Sequence, residues 1–288
     1  MDHDITDEAR LLVQGRDGPG IVAAVSRVLA EHSANIVSLD QHSTDPAGGR
    51  FFQRTVFHLP DLARRRPRLE VALHRELGQG LELDWRLNEA AAAKRVAIMA
   101  SKLDHCLLDL LWRQRRGDLP MRVVAVVSNH PDLAEDVEQF GVPFRHIPVE
   151  KGAKAEAERR QLDLLKGNVD VIVLARYMQI VSGGFLDEVG TPVINIHHSF
   201  LPAFVGAAPY RKAKERGVKL IGATAHFVTE DLDEGPIIEQ DVARVSHTDS
   251  VEDLVRRGAD IERLVLARAV AAFCEDRILR DADTTVVF

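Results

Sequence analysis

The chain has 288 residues, 45% hydrophobic and 28% charged, with a formal net charge of -7. That length fits two domains of unequal size, given about 100–200 residues per domain, and the composition can bury real cores, which excludes a disordered chain. The acidic balance excludes a general nucleic-acid binder, because phosphate neutralisation needs a basic face, and the densest basic run, Arg64-Arg65-Arg66-Pro67-Arg68, is short and reads as a solvated helix start.

Residues 9–14 alternate into a strand, Gly15-Arg16-Asp17-Gly18-Pro19-Gly20 breaks it, and Ile21, Val22, Val25, Val28 and Leu29 then recur at helical spacing. Stretches 34–42 and 50–59 read as two strands joined by a turn containing Asp45-Pro46-Ala47-Gly48-Gly49. A helix over 62–77 and a strand over 81–87 complete a ferredoxin-like βαββαβ pattern. The alanine-rich stretch 88–94 carries no apolar period, so the expected division is a first domain at 1–87, a linker at 88–94 and a second domain at 95–288.

Beyond the linker the texture changes. Val96-Ala97-Ile98-Met99, Val123-Val124-Ala125-Val126-Val127 and Val171-Ile172-Val173-Leu174 are continuous apolar runs, separated by helical stretches at 104–115, 131–140 and 153–166. Such runs suit parallel strands buried on both faces, which predicts a Rossmann-like, open, mostly parallel α/β sheet, with Val193-Ile194-Asn195-Ile196 as a further strand. Ligands in such sheets bind outside the carboxyl ends of the strands, which directs attention to Ser101-Lys102, Ser128-Asn129-His130, Arg176-Tyr177-Met178 and His197-His198-Ser199.

Asn195 and His197 end an otherwise apolar strand, and a period of 2 sends both side chains to one face, with His198 on the other. An amide that can hold an oxyanion beside an imidazole that can move a proton suits attack on a carbonyl. The same two residues also fit a turn cap and a half-buried histidine. A proline-bounded loop from Leu201-Pro202 to Gly206 leads to a polar helix over 210–216. The next strand, 221–228, carries Thr224 and His226 on one face and runs into Thr229-Glu230-Asp231-Leu232-Asp233-Glu234-Gly235-Pro236. A carboxylate from this loop near His197 would favour the imidazolium and orient a water, but spacing alone leaves open which acid does so.

Cys106 and Cys274, the chain's two cysteines, form neither a disulfide framework nor a zinc-ligand cluster, and Cys106 reads as a packing residue. The start, Met1-Asp2-His3-Asp4, is acidic, and no apolar run approaches the ~20 residues of a membrane span, so a cytoplasmic enzyme that uses neither a metal nor a membrane is expected.

The run Asn195-Ile-His-His-Ser-Phe-Leu-Pro, with His-Phe-Val-Thr-Glu-Asp-Leu-Asp-Glu-Gly-Pro-Ile-Ile-Glu-Gln over 226–240, resembles the folate-dependent formyltransferase fold. The N-terminal pattern with Arg16-Asp17-Gly18-Pro19-Gly20-Ile21-Val22 looks like an ACT domain. Ser101-Lys102-Leu103-Asp104-His105-Cys106-Leu107 resembles the deformylase branch of that fold where the nucleotide transferases have a phosphate-cradling loop, and Val126-Val127-Ser128-Asn129-His130 and Thr285-Val-Val-Phe288 also resemble that branch. The resemblance covers essentially the whole chain. It implies hydrolysis of 10-formyltetrahydrofolate to formate and tetrahydrofolate, feeding purine synthesis and balancing the one-carbon folate pool, with no permanently bound cofactor.

The resemblance also implies site residues. Asn195, His197 and Asp233 would be catalytic. Arg176, Met178, Gln179, Ile180, Thr224, His226, Asp231, Gly235, Ser101 and His105 would bind the substrate, with the 231–235 loop closing over the pterin. An amino acid, glycine or methionine, would bind the ACT-like domain near Asp17, Gly18, Gly20, Ile21 and Asn35 in a homo-oligomer, dimer or tetramer. Two other readings compete: a transferase that passes the formyl group to an amine, and a folate or amino-acid sensor without catalysis. Gly206-Ala207-Ala208-Pro209-Tyr210-Arg211-Lys212-Ala213-Lys214, Gly258-Ala259-Asp260 and Asp281-Ala282-Asp283 depart from the deformylase pattern, which bears on the assembly surface or the pocket rim.

Overall fold

The computed structural model describes residues 5–202 and 209–288. The acidic start at 1–4 and the stretch 203–208, with Gly206, Ala207 and Ala208, lie outside the described residues. Among the described residues the chain forms two compact units.

In the first unit β1 (Glu8–Arg16) leads through Gly20, at φ 88, into α1 (Ile21–Glu31), followed by β2 (Asn35–Ser43), β3 (Arg50–His58), α2 (Leu62–Leu73) and β4 (Asp84–Glu89). The expected single helix over 62–77 is interrupted: past Leu73 it widens into a π-type segment over His74–Gly80. The sheet order is β2-β3-β1-β4, antiparallel throughout. Alternation along β1 turns Ala9, Leu11 and Val13 to the helices, where they pack with Val25, Val28, Leu29, Leu69 and Leu73.

The second unit runs β5 (Lys94–Ala100), α3 (His105–Arg116), β6 (Met121–Ser128), α4 (Ala134–Glu138), β7 (Phe144–His146), α5 (Lys154–Leu165), β8 (Val171–Ala175), α6 (Gly183–Val189), β9 (Val193–His197), α7 (Pro209–Arg216), β10 (Leu220–Phe227), β11 (Ile237–Arg244) and α8 (Val251–Cys274). Its strand order is β11-β10-β9-β8-β5-β6-β7, with β5 to β9 parallel and β10 antiparallel to both its neighbours. The mostly parallel, Rossmann-like sheet expected from the apolar runs is what the chain forms. Strand order reverses between β5 and β8, so the crevice of an open sheet opens at the carboxyl ends of those two strands, next to the end of β9. The long α8 packs on β9, β10, β11 and α3, burying Leu254, Ile261, Val265, Leu266 and Val270. The sequence reading did not separate α6, β7, β11 or α8 as elements.

Two boundaries differ from expectation. The stretch 88–94 is not all linker: residues 88 and 89 end β4, and Lys94 starts β5. The chain after Cys274 does not stay with the second unit, because Glu275–Asp281 and Thr285–Phe288 belong to the first. There β12 (Ile278–Asp281) and β13 (Thr284–Val287) form a small hairpin sheet. Leu279, Val286 and Phe288 cover Leu12 and Phe52 on the outer face of the first sheet, and Asp276 accepts from Arg10 and Asn88. Alternation left that face apolar at Leu12 and Phe52, and the C-terminal segment buries it. Among the described residues no helix is long and apolar enough to cross a membrane.

Candidate active site

Asn195 and His197 lie at the end of β9 on one face, as the period of 2 requires, and β10 places His226 opposite Asn195 and Thr224 opposite His197. Asn195 Nδ2 donates to His226 Nε2 at 3.2 Å. His226 Nδ1 lies 2.9 Å from the Phe227 carbonyl, an atom that can only accept, so the neutral ring carries its proton on Nδ1 and offers Nε2 as the acceptor. That polarity directs the amide nitrogen of Asn195 to His226 and leaves its second N–H for a ligand.

The acid left open by spacing is Asp233. Its Oδ1 lies 3.2 Å from His197 Nδ1 and 3.7 Å from His226 Nε2. His197 and His226 are buried and Asp233 is largely so, which strengthens the pairing. The hydrogen bond to His197, followed by the nearby His226 ring, holds the Asp233 carboxyl well below the usual carboxylate range. Asp233 sits at φ 59, a left-handed conformation uncommon for a residue other than glycine. The loop that imposes it is fastened at its end: Phe227 N donates to Pro236 O at 2.9 Å, and a Cβ on Gly235 would overlap the Phe227 carbonyl. Gly235 therefore belongs to the loop's closure. His197 Nε2 is buried and has no hydrogen-bond partner among the described residues.

A cleft opens beside these groups, lined by Leu174, Val181 and Val228 with Gln179, Ile180, Asn195, His226 and the 229–233 loop. Gln179, Ile180, His226 and Asp231 of the expected substrate set thus line one cleft with Asn195 and Asp233. Met178 is 60% exposed and not among its lining residues. Thr224 is buried and structural: its Oγ1 donates to Ser199 O and accepts from Leu201 N and Gln240 Nε2, fixing the turn after β9.

Arg176, Ser101 and His105 are not among the cleft's lining residues, and two of them meet elsewhere. Arg176, at φ 59, points its Nε at Glu262 Oε2, 3.5 Å away. The same oxygen is 2.8 Å from His105 Nε2, and Glu262 Oε1 accepts from Tyr210 Oη at 2.6 Å. Ser101 accepts through its carbonyl from Ser128 Oγ. Burial acts to raise the Glu262 carboxyl, but the His105 hydrogen bond, the Arg176 charge and the Tyr210 hydroxyl outweigh it and hold it below its ordinary value. His105, Cys106 and Glu262 stand close enough to share a cation. Their chemistry fits one poorly, because the Arg176 guanidinium already faces Glu262, and burial followed by the Glu262 charge pushes the Cys106 thiol well up.

His198 does not take the opposite face from His197. The strand ends at His197, alternation ends with it, and the two rings stack at 5.1 Å, with Tyr210 6.2 Å beyond. Sequence reasoning passed over Glu262 and Tyr210. The available signal was an acid inside an apolar helical stripe, Ile261, Glu262, Val265, Leu266.

Among the departures, Lys214 hydrogen-bonds the carbonyls of His247 and Asp249, and Asp260 pairs with Arg263. Nothing in the structure explains Arg211.

An amide, an imidazole and a carboxylate at the carboxyl edge of an open α/β sheet form a set able to polarise a carbonyl and move a proton beside it. The chain belongs to the formyl transferase family: the family profile, described as formyl transferase, matches residues 94–270, and an ACT domain profile matches residues 9–72. The chain is 62% identical to the formyltetrahydrofolate deformylase of Mycobacterium tuberculosis H37Rv, covering 98% of this chain and 91% of that protein. The crystal structure of formyltetrahydrofolate deformylase from Burkholderia mallei superposes with a TM-score of 0.92 at 46% identity, over 98% of this chain and 99% of that one. Glycinamide ribonucleotide transformylase 1 from Symbiobacterium toebii is similar over 68% of this chain and 94% of its own, at 33% identity and a TM-score of 0.64.

Proposed function

We propose that Asn195, His197 and Asp233 carry the hydrolysis of 10-formyltetrahydrofolate to formate and tetrahydrofolate. The chain is a deformylase of this folate, in keeping with relatives that share its full length and bear that name. The observation that supports the residue assignment is the set of contacts joining Asn195, His226, Asp233 and His197.

In the mechanism, Asp233 orients and activates a water with His197, and the water attacks the N10-formyl carbon. The free amide N–H of Asn195 and the protonated His197 ring stabilise the tetrahedral oxyanion. The proton then passes to N10 as the C–N bond breaks and formate leaves. The apolar lining from Leu174, Val181 and Val228, with Gln179 and the 229–233 loop, supports placing the pterin there.

The ACT domain is a small-molecule effector-binding unit, and the finer reading is glycine or methionine bound near Asp17, Gly18, Gly20, Ile21 and Asn35 in a homo-oligomer. Asp17 accepts from Gly18 N and from Ser43 Oγ, a fixed carboxylate beside the start of α1, and Asn35 is exposed. Calorimetry with each amino acid tests it, and absence of binding with an unchanged rate would remove that effector.

The decisive experiment is formate release from 10-formyltetrahydrofolate with no amine acceptor. Turnover without amine supports hydrolysis, and formate or N-formyl product that appears only when an amine is added would make the chain a transferase.

A further inference from the structure

The second cluster of charges, centred on Glu262, is not used by the mechanism above. It gathers side chains from three helices and one connecting segment: His105 opens α3, Arg176 follows β8, Tyr210 lies on α7 and Glu262 lies midway along α8. The Glu262 side chain is only 3% exposed, and both its oxygens are engaged. The backbone makes room for this arrangement. Gly258, one turn before Glu262, stands where any Cβ would overlap the Tyr210 hydroxyl and ring. A glycine inside a 24-residue helix lowers helix stability, so its place here is explained by the approach of Tyr210.

The cluster reaches the catalytic groups through rings. Tyr210, fixed by Glu262, lies 6.2 Å from the His198 ring, and His198 stacks on His197 at 5.1 Å. Arg176 acts on the same ring. Among the described residues its buried Nε and Nη1 have no hydrogen-bond partner, and the carboxylate facing it is Glu262, at 3.5 Å. If that carboxylate were neutral, the buried guanidinium would stand uncompensated beside His198, and both would have to move.

We infer that Glu262 is a positioning residue for the hydrolysis, acting on His197 through Tyr210 and His198. The inference rests on the reading of His197 as catalytic. Glu262 is not among the cleft's lining residues, so its effect belongs in turnover and not in folate binding. His197 keeps its Nδ1 on Asp233 only while its ring plane is held, and the stacked His198 supplies that plane.

The test compares the full chain with Glu262→Gln, Tyr210→Phe and the double variant, measuring kcat and KM for formate release and the imidazole 15N resonances of His197 and His198. Glu262→Gln keeps the shape and removes the charge. The expected result is a kcat lowered about 10- to 100-fold with KM within about threefold, shifted His197 and His198 resonances, and a double variant no slower than Glu262→Gln alone. Tyr210→Phe removes one hydroxyl and should show the same signs at smaller size, so it decides the matter if Glu262→Gln does not fold. Wild-type kcat with a lowered melting temperature in both variants would make Glu262 purely structural and overturn the inference. So would a loss confined to KM, or losses that multiply in the double variant. Failure of the unmodified chain to release formate would instead sink the deformylase reading itself.

Discussion

Asn195 and His226 face each other across β9 and β10, and the 3.2 Å contact between Nδ2 and Nε2 makes the histidine the group that orients the amide. Because His226 spends its Nδ1 proton on the Phe227 carbonyl, the contact has one polarity in the neutral state. Asn195→Ala should lower kcat by about 10²–10³-fold, the range for one lost oxyanion donor, with a smaller change in KM. His226→Phe keeps the ring volume and removes the acceptor, and should cost about tenfold. Steady-state formate release checks both, and unchanged turnover in Asn195→Ala would remove it from the oxyanion site.

Asp233→Asn should lower kcat by about 10³-fold or more while leaving folate binding within a few-fold, measured by kinetics and by fluorescence titration. The substitution also has a signature in stability. The folded carboxyl titrates below its unfolded value of about 3.9, so its stabilisation is fully present above that value and is lost as pH falls through the folded one. The stability gap between the unmodified chain and Asp233→Asn should therefore be flat from pH 5 to 8 and close on acidification. A gap that opened on acidification would reverse the assignment.

His198 gives the opposite titration. Burial, followed by the Arg176 charge, pushes its imidazole down to about 4. A group that takes up its proton less readily when folded favours the unfolded chain as pH falls from about 6.5 toward the folded value. The unmodified chain should lose on the order of 1–3 kcal/mol through this window, discounted for the ring's partial exposure. Urea unfolding at pH 7 and pH 4.5 should show that loss, and His198→Phe, which retains the stack, should reduce it. An equal loss in the variant would assign the titration to another group.

Gly258→Ala should destabilise the chain by about 1–3 kcal/mol, although alanine is the better helix former, because the added methyl meets Tyr210. Tyr210→Ala removes the obstruction, so the second substitution should be much milder in that background than alone. Denaturation of the four chains in the cycle measures it, and strict additivity would show that Gly258 is not there for Tyr210.

Much of this protein follows from local sequence. The β1–Gly20–α1 start, the parallel apolar strands and the placement of Asn195 and His197 on one face come from periods of 3.6 and 2 and from glycine punctuation, all encoded within a few neighbouring residues. Spacing alone did not choose Asp233 among the acids of its loop. That choice depended on family resemblance, and the loop's fastening at Phe227 and Pro236 supplies its physical reason.

Tertiary structure alone decided which distant groups meet. Glu262 is 157 residues from His105 and 52 from Tyr210, and although its place in the apolar stripe of α8 marks it as buried, nothing local names its partners until β8, α3 and α7 close around it. Arg176 sits at a strand end that could face either the cleft or this cluster, and the buried carboxylate draws it to the cluster because an unpaired guanidinium could not be buried there. The return of Leu279 and Phe288 to the first unit is of the same kind. Alternation along β1 and β3 exposes Leu12 and Phe52 on a second face, but what covers an apolar face is settled by where the chain's far end passes, not by the residues that form the face.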